Sequence, residues 1–360
     1  MKCLRAAVPR VGRAVRLAVR RGHRKSRRVL TFGLPTVWGA AAITYKLTCP
    51  LAQQNGLGAR VASSAVFFAV GTGLIVHVRR ALLRELRQAR QVAGAAQRAL
   101  LRPLPPRIGG LTVAAAQMSA DRGATIGGDL YEAVATEHGV RVVMGDVRGH
   151  GLAAIGTAAA VLGSFREAVH DEPDLAGVLR RLDRAFARHL RERAERDGTA
   201  AEEFVTVLLL EIGGDGGLRA LNCGHPWPYL LSGSRVESLS SADPLPPLGP
   251  FPLPRDLSGL HRGHLLPDET LVLHTDGAED ARDAHGRFFS LPEVLREASR
   301  NAPNGVLGAV FDSLRNHTGG TPTDDVALLV LRNERQHPST SGARGTAPPA
   351  TMHPQPTTHL

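Results

Sequence analysis

The order of apolar and polar positions divides the chain into three stretches of different character. From Val29 to Leu47 the residues are mostly apolar, and from Val61 to Val78 none is charged. Each run is close to the roughly 20 residues that a helix needs to cross a bilayer. The pattern predicts a membrane domain over 29–78 with transmembrane helices at 29–47 and 61–78, joined by a short loop that holds Cys49, Pro50 and Asn55. The period then changes. Leu82, Leu86, Ala89, Ala93, Ala96 and Leu100 alternate spacings of four and three, which is the a/d stripe of a helix. Its seam is rich in alanine and contains Gly94. The linker helix 79–102 therefore reads either as a weak coiled coil that could pair two copies of the chain or as a plain amphipathic connector. Pro103, Pro105 and Pro106 end it, because proline neither donates to nor fits a helix interior.

Beyond residue 103 the apolar segments are short. Leu111–Gln117 reads as a strand. Asp129–Ala135 and Val140–Asp146 read as the arms of a hairpin that turns at His138-Gly139. Residues 152–170 and 174–196 read as two helices broken at Pro173, and Phe204–Ile212, Leu218–Cys223 and Tyr229–Leu231 as strands. The proline-rich stretch 243–256 is an irregular loop rather than a domain linker, since strands resume after it. A core strand begins at Thr270, helices follow near 291–298 and 306–315, and Ala327–Leu331 forms the last strand. Residues 334–360, rich in Pro, Thr, Ser and His, have the composition of a disordered tail.

Charge sharpens this division. Residues 1–102 hold 20 Lys and Arg and one acid, Glu85, so the net +11 of the whole chain leaves −8 for 103–360. The basic character belongs to the N-terminal part. The mildly acidic remainder does not suit a nucleic-acid binder. Eleven of the basic residues lie in 1–28, a cytoplasmic arm suited to anionic lipid headgroups. Arginines flank both apolar runs on their outer sides, which predicts a multi-pass protein of the cell membrane with both ends cytoplasmic and a short external loop. A buried core helix, or a signal peptide cleaved near Ala40–Ala42, is the alternative reading of these runs. Cys3, Cys49 and Cys223 form no CxxC pair, so a zinc site or disulfide framework is not expected and a reducing compartment fits.

The chemistry gathers on aspartates. Val142-Val143-Met144-Gly145-Asp146-Val147-Arg148-Gly149-His150-Gly151 is a core strand ending in a carboxylate and a glycine turn. Thr270-Leu271-Val272-Leu273-His274-Thr275-Asp276-Gly277 repeats that design, Asp129 follows the pair Gly127-Gly128, and Asp324-Asp325 leads straight into the last strand. One such Asp is an ordinary cap or turn residue. Four together predict a shared cluster, because unpaired buried carboxylates repel one another and a hard divalent cation removes that cost. His225, set in a Gly/Pro turn, reads as a structural or substrate-side residue and not as a ligand.

GGDLYEA at 127–133, GDVRGHG at 145–151, NCGHPWPYLL at 222–231, HTDGAEDAR at 274–282 and TDDVALLVLR at 323–332 resemble the PPM (type 2C) metal-dependent serine/threonine phosphatases, in particular the bacterial branch similar to stage II sporulation protein E. AQRALLRPLPP at 96–106 also looks like the usual entry to such domains. The resemblance spans roughly 96–333 and implies an α+β fold, a PPM phosphatase-type αββα sandwich of two mainly antiparallel sheets flanked by helices, occupying 103–333. It implies two Mn²⁺ or Mg²⁺ ions. Asp146 would bridge them, the Val147 carbonyl would contact one, Asp276 and Asp324 would complete the other, and Asp129 would act through metal-bound water, with Asp325 supporting. Asp146 and Asp276 would be the catalytic ligands. Arg148 and His150 are the candidate substrate-side residues. Arg148 could clamp phosphate, lie on the surface or repel the metals, and a protonated His150 could assist the leaving group. Glu132, His274 and Glu279 depart from the family pattern.

The implied activity is hydrolysis of phosphoserine or phosphothreonine by metal-activated water, without a phosphoenzyme; no CxxxxxR motif is present. The implied partner is a phosphorylated anti-sigma-factor antagonist or similar signalling protein, with membrane lipid at the N-terminal part and a possible homodimer through 79–102. A catalytically silent, membrane-tethered phosphoprotein-binding module is the alternative from another class, and a two-metal hydrolase of nucleotides or lipids is a third.

Overall fold

The computed structural model describes residues 57–118, 128–149, 151–197, 203–257, 260–320, 322 and 324–335, together with Trp38, Gly39 and Thr44. The basic arm, nearly all of the first apolar run, His150 and the tail from 336 lie outside the described residues. The chain forms two compact units, 1–91 and 92–360.

Helix α1 (Leu57–Leu100) runs without interruption through the second apolar run and the linker. The expected division at Val78/Arg79 is absent because arginines change the solvation of a helix and not its backbone. Only the prolines stop it. Within α1, Ser64–Glu85 is long and apolar enough to cross a membrane, and none of that window is buried by the protein. Val61, Val66, Phe68 and Ile75 are exposed. Trp38, from the first run, packs its ring 5.6 Å from that of Phe67. The described residues thus contain one candidate span, and the expected helix at 29–47 falls outside them.

The second unit is a four-layer sandwich. In chain order its elements are β1 (Arg107–Ile108), β2 (Leu111–Met118), β3 (Leu130–Thr136), β4 (Gly139–Val147), α2 (Leu152–Asp171), α3 (Leu175–Asp197), β5 (Val205–Ile212), β6 (Gly217–Cys223), β7 (Tyr229–Ser232), β8 (Arg235–Ser238), β9 (His261–His264), β10 (Thr270–His274), α4 (Leu291–Ala298), α5 (Pro303–Thr318) and β11 (Val326–Asn333). One antiparallel sheet has the order β1-β2-β11-β10-β7-β8, the other β3-β4-β5-β6-β9. The two-residue alternation of strands explains the layering. Val142 and Met144 of β4 meet Leu208, Leu210, Leu271, Leu273, Leu329 and Leu331 between the sheets. Val143 and Val147 turn the other way, onto Val161, Phe165, Leu179 and Phe186 of α2 and α3. Val272, Leu328 and Val330 of the first sheet face Leu295, Val310 and Leu314 of α4 and α5. Strands apolar on both faces are what a sheet covered on both sides requires.

The predicted long elements appear within a few residues of their expected bounds. The structure adds β1, β8 and β9, which are short and polar and give no alternation to read. It also starts α5 at Pro303, where proline suits the first helical turn. The proline-rich loop is irregular, yet it straps the second sheet. Leu248 exchanges backbone hydrogen bonds with Val205 (2.9 and 3.1 Å), and the Leu245 amide donates to the Asn222 carbonyl (2.8 Å).

A buried polar ladder ties α2 to its sheet. Arg141 on β4 is fully buried. It donates from Nε to Glu211 (2.8 Å) and from its terminal nitrogens to the carbonyls of Val169 (2.9 Å), Glu172 (2.6 Å) and Pro173 (3.0 Å). Arg219 holds the other Glu211 oxygen at 2.7 Å. Arg141→Leu removes the guanidinium and leaves three helix-end carbonyls without donors. A stability loss of about 3–5 kcal/mol is expected, read from urea unfolding of the full chain; a loss below about 1 kcal/mol would mean that the ladder is dispensable.

Candidate metal centre

Every predicted aspartate lies at one end of the sandwich because two antiparallel pairs deliver them there. In the β3–β4 hairpin, Leu130 pairs with Gly145, so Asp129 and Asp146 are the next positions along. The Val147 amide donates to the Gly128 carbonyl at 3.2 Å and continues the ladder past them. In the other sheet His274 pairs with Leu328. Asp276 then opens a 3-10 turn, Asp276–Ala278, while Asp324 and Asp325 precede β11.

Two glycines make the close approach possible. A Cβ on Gly128 would stand 2.1 Å from the Val147 carbonyl oxygen and 2.7 Å from Asp146 Oδ1. A Cβ on Gly277 would stand 2.1 Å from the Asp325 carbonyl oxygen and 3.4 Å from the Asp324 side chain. Thr275 links the sheets. Its hydroxyl accepts from the Ala327 amide (2.9 Å) and donates to Asp129 Oδ2 (3.3 Å).

The electrostatics are those of crowded like charges. Burial, then Asp146, Asp325 and Asp276, push the Asp129 carboxyl well above the usual range, against which the Thr275 bond works. Burial, then Asp276, Asp324 and Asp325, push Asp146 up to about 7, partly offset by the Val147 amide. Partial burial and the neighbours Asp324 and Asp280 raise Asp276. Asp129, Asp146, Asp276, Asp324 and Asp325 therefore feel one another as a cluster, with the Val147 carbonyl oxygen beside them. Among the described residues no three Asp, Glu, His or Cys side chains already converge as a closed ligand group. The donors are all hard oxygens spread over four strand ends, a set that fits a hard divalent cation, and the glycine-lined space is one that a Cβ would fill.

Arg148 stands at the rim, exposed. Its amide donates to the Phe204 carbonyl (2.9 Å) and its guanidinium lies 5.2 Å from the Phe204 ring centroid. The departures from the family pattern prove to be paired. Glu132 accepts from Arg166 Nε at 2.9 Å, and Arg166 also donates to the Leu100 carbonyl at 2.9 Å. The Tyr229 hydroxyl donates to Glu279 at 2.6 Å, and the ring of Tyr229 stacks on that of His274 with centroids 5.4 Å apart. Sequence reasoning missed Thr275 and Thr206. The only signal for Thr275 was its place between a core strand and Asp276. Thr206 lies inside an apolar strand and was readable only from its register opposite Asp146.

A raised carboxyl pKa has a sign. The folded, metal-free protein binds a proton at Asp146 between pH 3.8 and about 7 that the unfolded chain releases. That contribution to stability is full below the unfolded value and is lost as pH rises through the folded one. The melting temperature in chelator is expected to fall as pH rises from 5 to 8, with a flatter profile for Asp146→Asn. A wild-type profile as flat as that of the variant would remove Asp146 as the cause.

The family model described as Stage II sporulation protein E (SpoIIE) matches residues 136–334, more than half of the chain. None of the curated proteins matches significantly. Among solved structures the chain is similar to the SiaA-PP2C domain of Pseudomonas aeruginosa (21% identity, TM-score 0.55, covering 71% of this chain and 98% of that one). It is similar to the RsbU and RsbW domains of a Mycobacterium tuberculosis protein (20%, TM-score 0.51, 64% and 62%). It is also similar to the PP2C phosphatase domain with a fragment of the regulatory domain of the cell fate determinant SpoIIE from Bacillus subtilis (16%, TM-score 0.50, 62% and 63%). The chain spans less than two thirds of the length of the last two. These likenesses carry the fold, that of PP2C-type phosphatase domains, and the family match carries membership: the chain belongs to the stage II sporulation protein E (SpoIIE) family.

Proposed function

We propose that the chain is a membrane-anchored, metal-dependent phosphatase that hydrolyses phosphoserine or phosphothreonine in a protein. The observation that carries this reading is the convergence of strand-end aspartates from both sheets on a glycine-lined space where they repel one another. Asp146 and Asp276 would be the catalytic ligands of two Mn²⁺ or Mg²⁺ ions, with Asp129, Asp324 and the Val147 carbonyl completing the set and Asp325 supporting it. Such ions, when bound, supply a water acidic enough to attack at neutral pH and neutralise charge on the phosphoryl oxygens. The chain's own residues do the rest. The aspartates would hold the cations against the attacked phosphoryl group. Thr275 donates to Asp129 and steadies it. Arg148, with its guanidinium over the Phe204 ring, would take a phosphate oxygen as a charge-assisted donor. His150 stays a candidate for the substrate side.

The partner proposed from the family resemblance is a phosphorylated anti-sigma-factor antagonist. The apolar window Ser64–Glu85 supports anchoring in a membrane, with multi-pass topology and lipid contact by the basic arm as its extension. Leu82, exposed on α1, belongs to the seam through which two copies would pair.

The full chain, purified in detergent, is expected to hydrolyse a phosphoserine peptide only with Mn²⁺ or Mg²⁺. Asp146→Asn and Asp276→Asn should each lower kcat by about 100-fold or more, as loss of groups acting on the transition state does. Turnover unaffected by chelator would sink the metal-dependent reading, and tight metal binding without turnover on any phosphoprotein would favour a silent binding module. Arg148→Ala should raise KM for the peptide several-fold with little change in kcat, the pattern of lost ground-state binding; a fall in kcat alone would place Arg148 elsewhere in the mechanism.

A further inference from the structure

The NCGHP segment at 222–226 closes β6 and supplies nothing to the carboxylate cluster itself, yet it is among the most buried polar parts of the molecule. Asn222 and His225 are 2% and 3% exposed. They clamp one another: the His225 amide donates to Asn222 Oδ1 (2.9 Å), and Asn222 Nδ2 donates to the His225 carbonyl (2.7 Å). The Leu245 amide of the proline-rich strap closes on the Asn222 carbonyl at 2.8 Å. Gly224, at φ +71°, is pressed so close to Pro247 that a Cβ would meet its ring at 2.6 Å. The result is a buried histidine on a firmly held backbone.

His225 Nδ1 lies 3.0 Å from Thr206 Oγ1, and the ring also meets the His274 backbone. Thr206 Oγ1 in turn accepts from the Asp146 amide at 3.1 Å and stands 3.4 Å from the Asp146 carbonyl oxygen. A hydroxyl rotates freely, and a second partner fixes which lone pair it presents. The amide it receives belongs to the residue whose carboxylate leads the cluster, and the next residue, Val147, offers its carbonyl to the same space.

We propose that Thr206 and His225 are positioning residues for the metal centre: His225 orients the Thr206 hydroxyl, which fixes the Asp146 backbone so that the Asp146 carboxylate and the Val147 carbonyl face one cation. This rests on the metal-dependent reading above. The arrangement is the backbone counterpart of the outer hydrogen bonds that orient ligands in metal sites, whose loss costs 10–100-fold in affinity. Burial and the neighbouring His274 hold His225 in its neutral form, so the relay works as a hydrogen-bond scaffold and not as a charge.

The test is Mn²⁺ affinity of the full chain, read from the free-ion electron paramagnetic resonance signal, beside thermal unfolding in chelator. Thr206→Val keeps the volume and removes the hydroxyl; His225→Phe keeps a ring and removes Nδ1. Each should weaken Mn²⁺ binding by about tenfold or more, with Thr206→Ser within about twofold of wild type. Should Thr206→Val fail to fold in chelator, His225→Phe, which leaves the strand intact, carries the test. Wild-type affinity in Thr206→Val or His225→Phe while Asp146→Asn loses binding overturns the positioning role and leaves the metal centre standing. Thr206→Ser as weak as Thr206→Val makes volume the cause and also overturns it. Asp146→Asn binding like wild type overturns the metal centre itself, and this inference with it.

Discussion

Mutual repulsion among carboxylates governs this domain. Asp129 and Asp146 come from one sheet, Asp276, Asp324 and Asp325 from the other, and the second group raises the proton affinity of the first across the gap. A protein does not hold such a group together at one strand end unless the surrounding structure leaves it little choice. Here the constraint is the antiparallel register of β3 with β4 and of β10 with β11, locked by three layers of apolar packing between and outside the sheets. The core fixes the register, and the register fixes the carboxylates.

Much of this was legible beforehand because it depends on local pattern. A run such as Val142–Met144 before Asp146, or Leu271–Leu273 before Asp276, announces a core strand with an acid at its end. The family resemblance then joined pieces that spacing alone could not. What could not be read is of two kinds. Short polar edge strands such as Arg235–Ser238 and His261–His264 pair through backbone groups that leave no trace in residue type. Residues whose role lies in a partner far along the chain are also silent: Thr206 finds Asp146 sixty positions away, and Thr275 finds Asp129 across 146. The continuous α1 teaches a third lesson. A change from apolar to arginine-rich sequence does not break a helix, which passes through it without interruption.

Two buried polar side chains follow one rule. Arg141 spends its donors on Glu211 and on the carbonyls at the end of α2, and Asn222 satisfies the amide and the carbonyl of His225. In both places a buried side chain replaces water for backbone groups that a turn leaves without partners. The irregular connections of the sandwich are thereby held as firmly as its strands, which matters most for the strap 243–256, because it closes over the strand ends nearest the cluster.

The trio Tyr229, His274 and Glu279 has a consequence for how this sequence can vary. Tyr229 stacks on His274 and gives its hydroxyl to Glu279, so the three side chains form one energetic unit. Replacing any one alone strands a buried ring or a phenol without its partner, and the three effects do not add. Two residues that look like independent departures from a family pattern are therefore coupled through the tyrosine between them. A change at either of them is felt by the other, so the pair is best exchanged together with Tyr229.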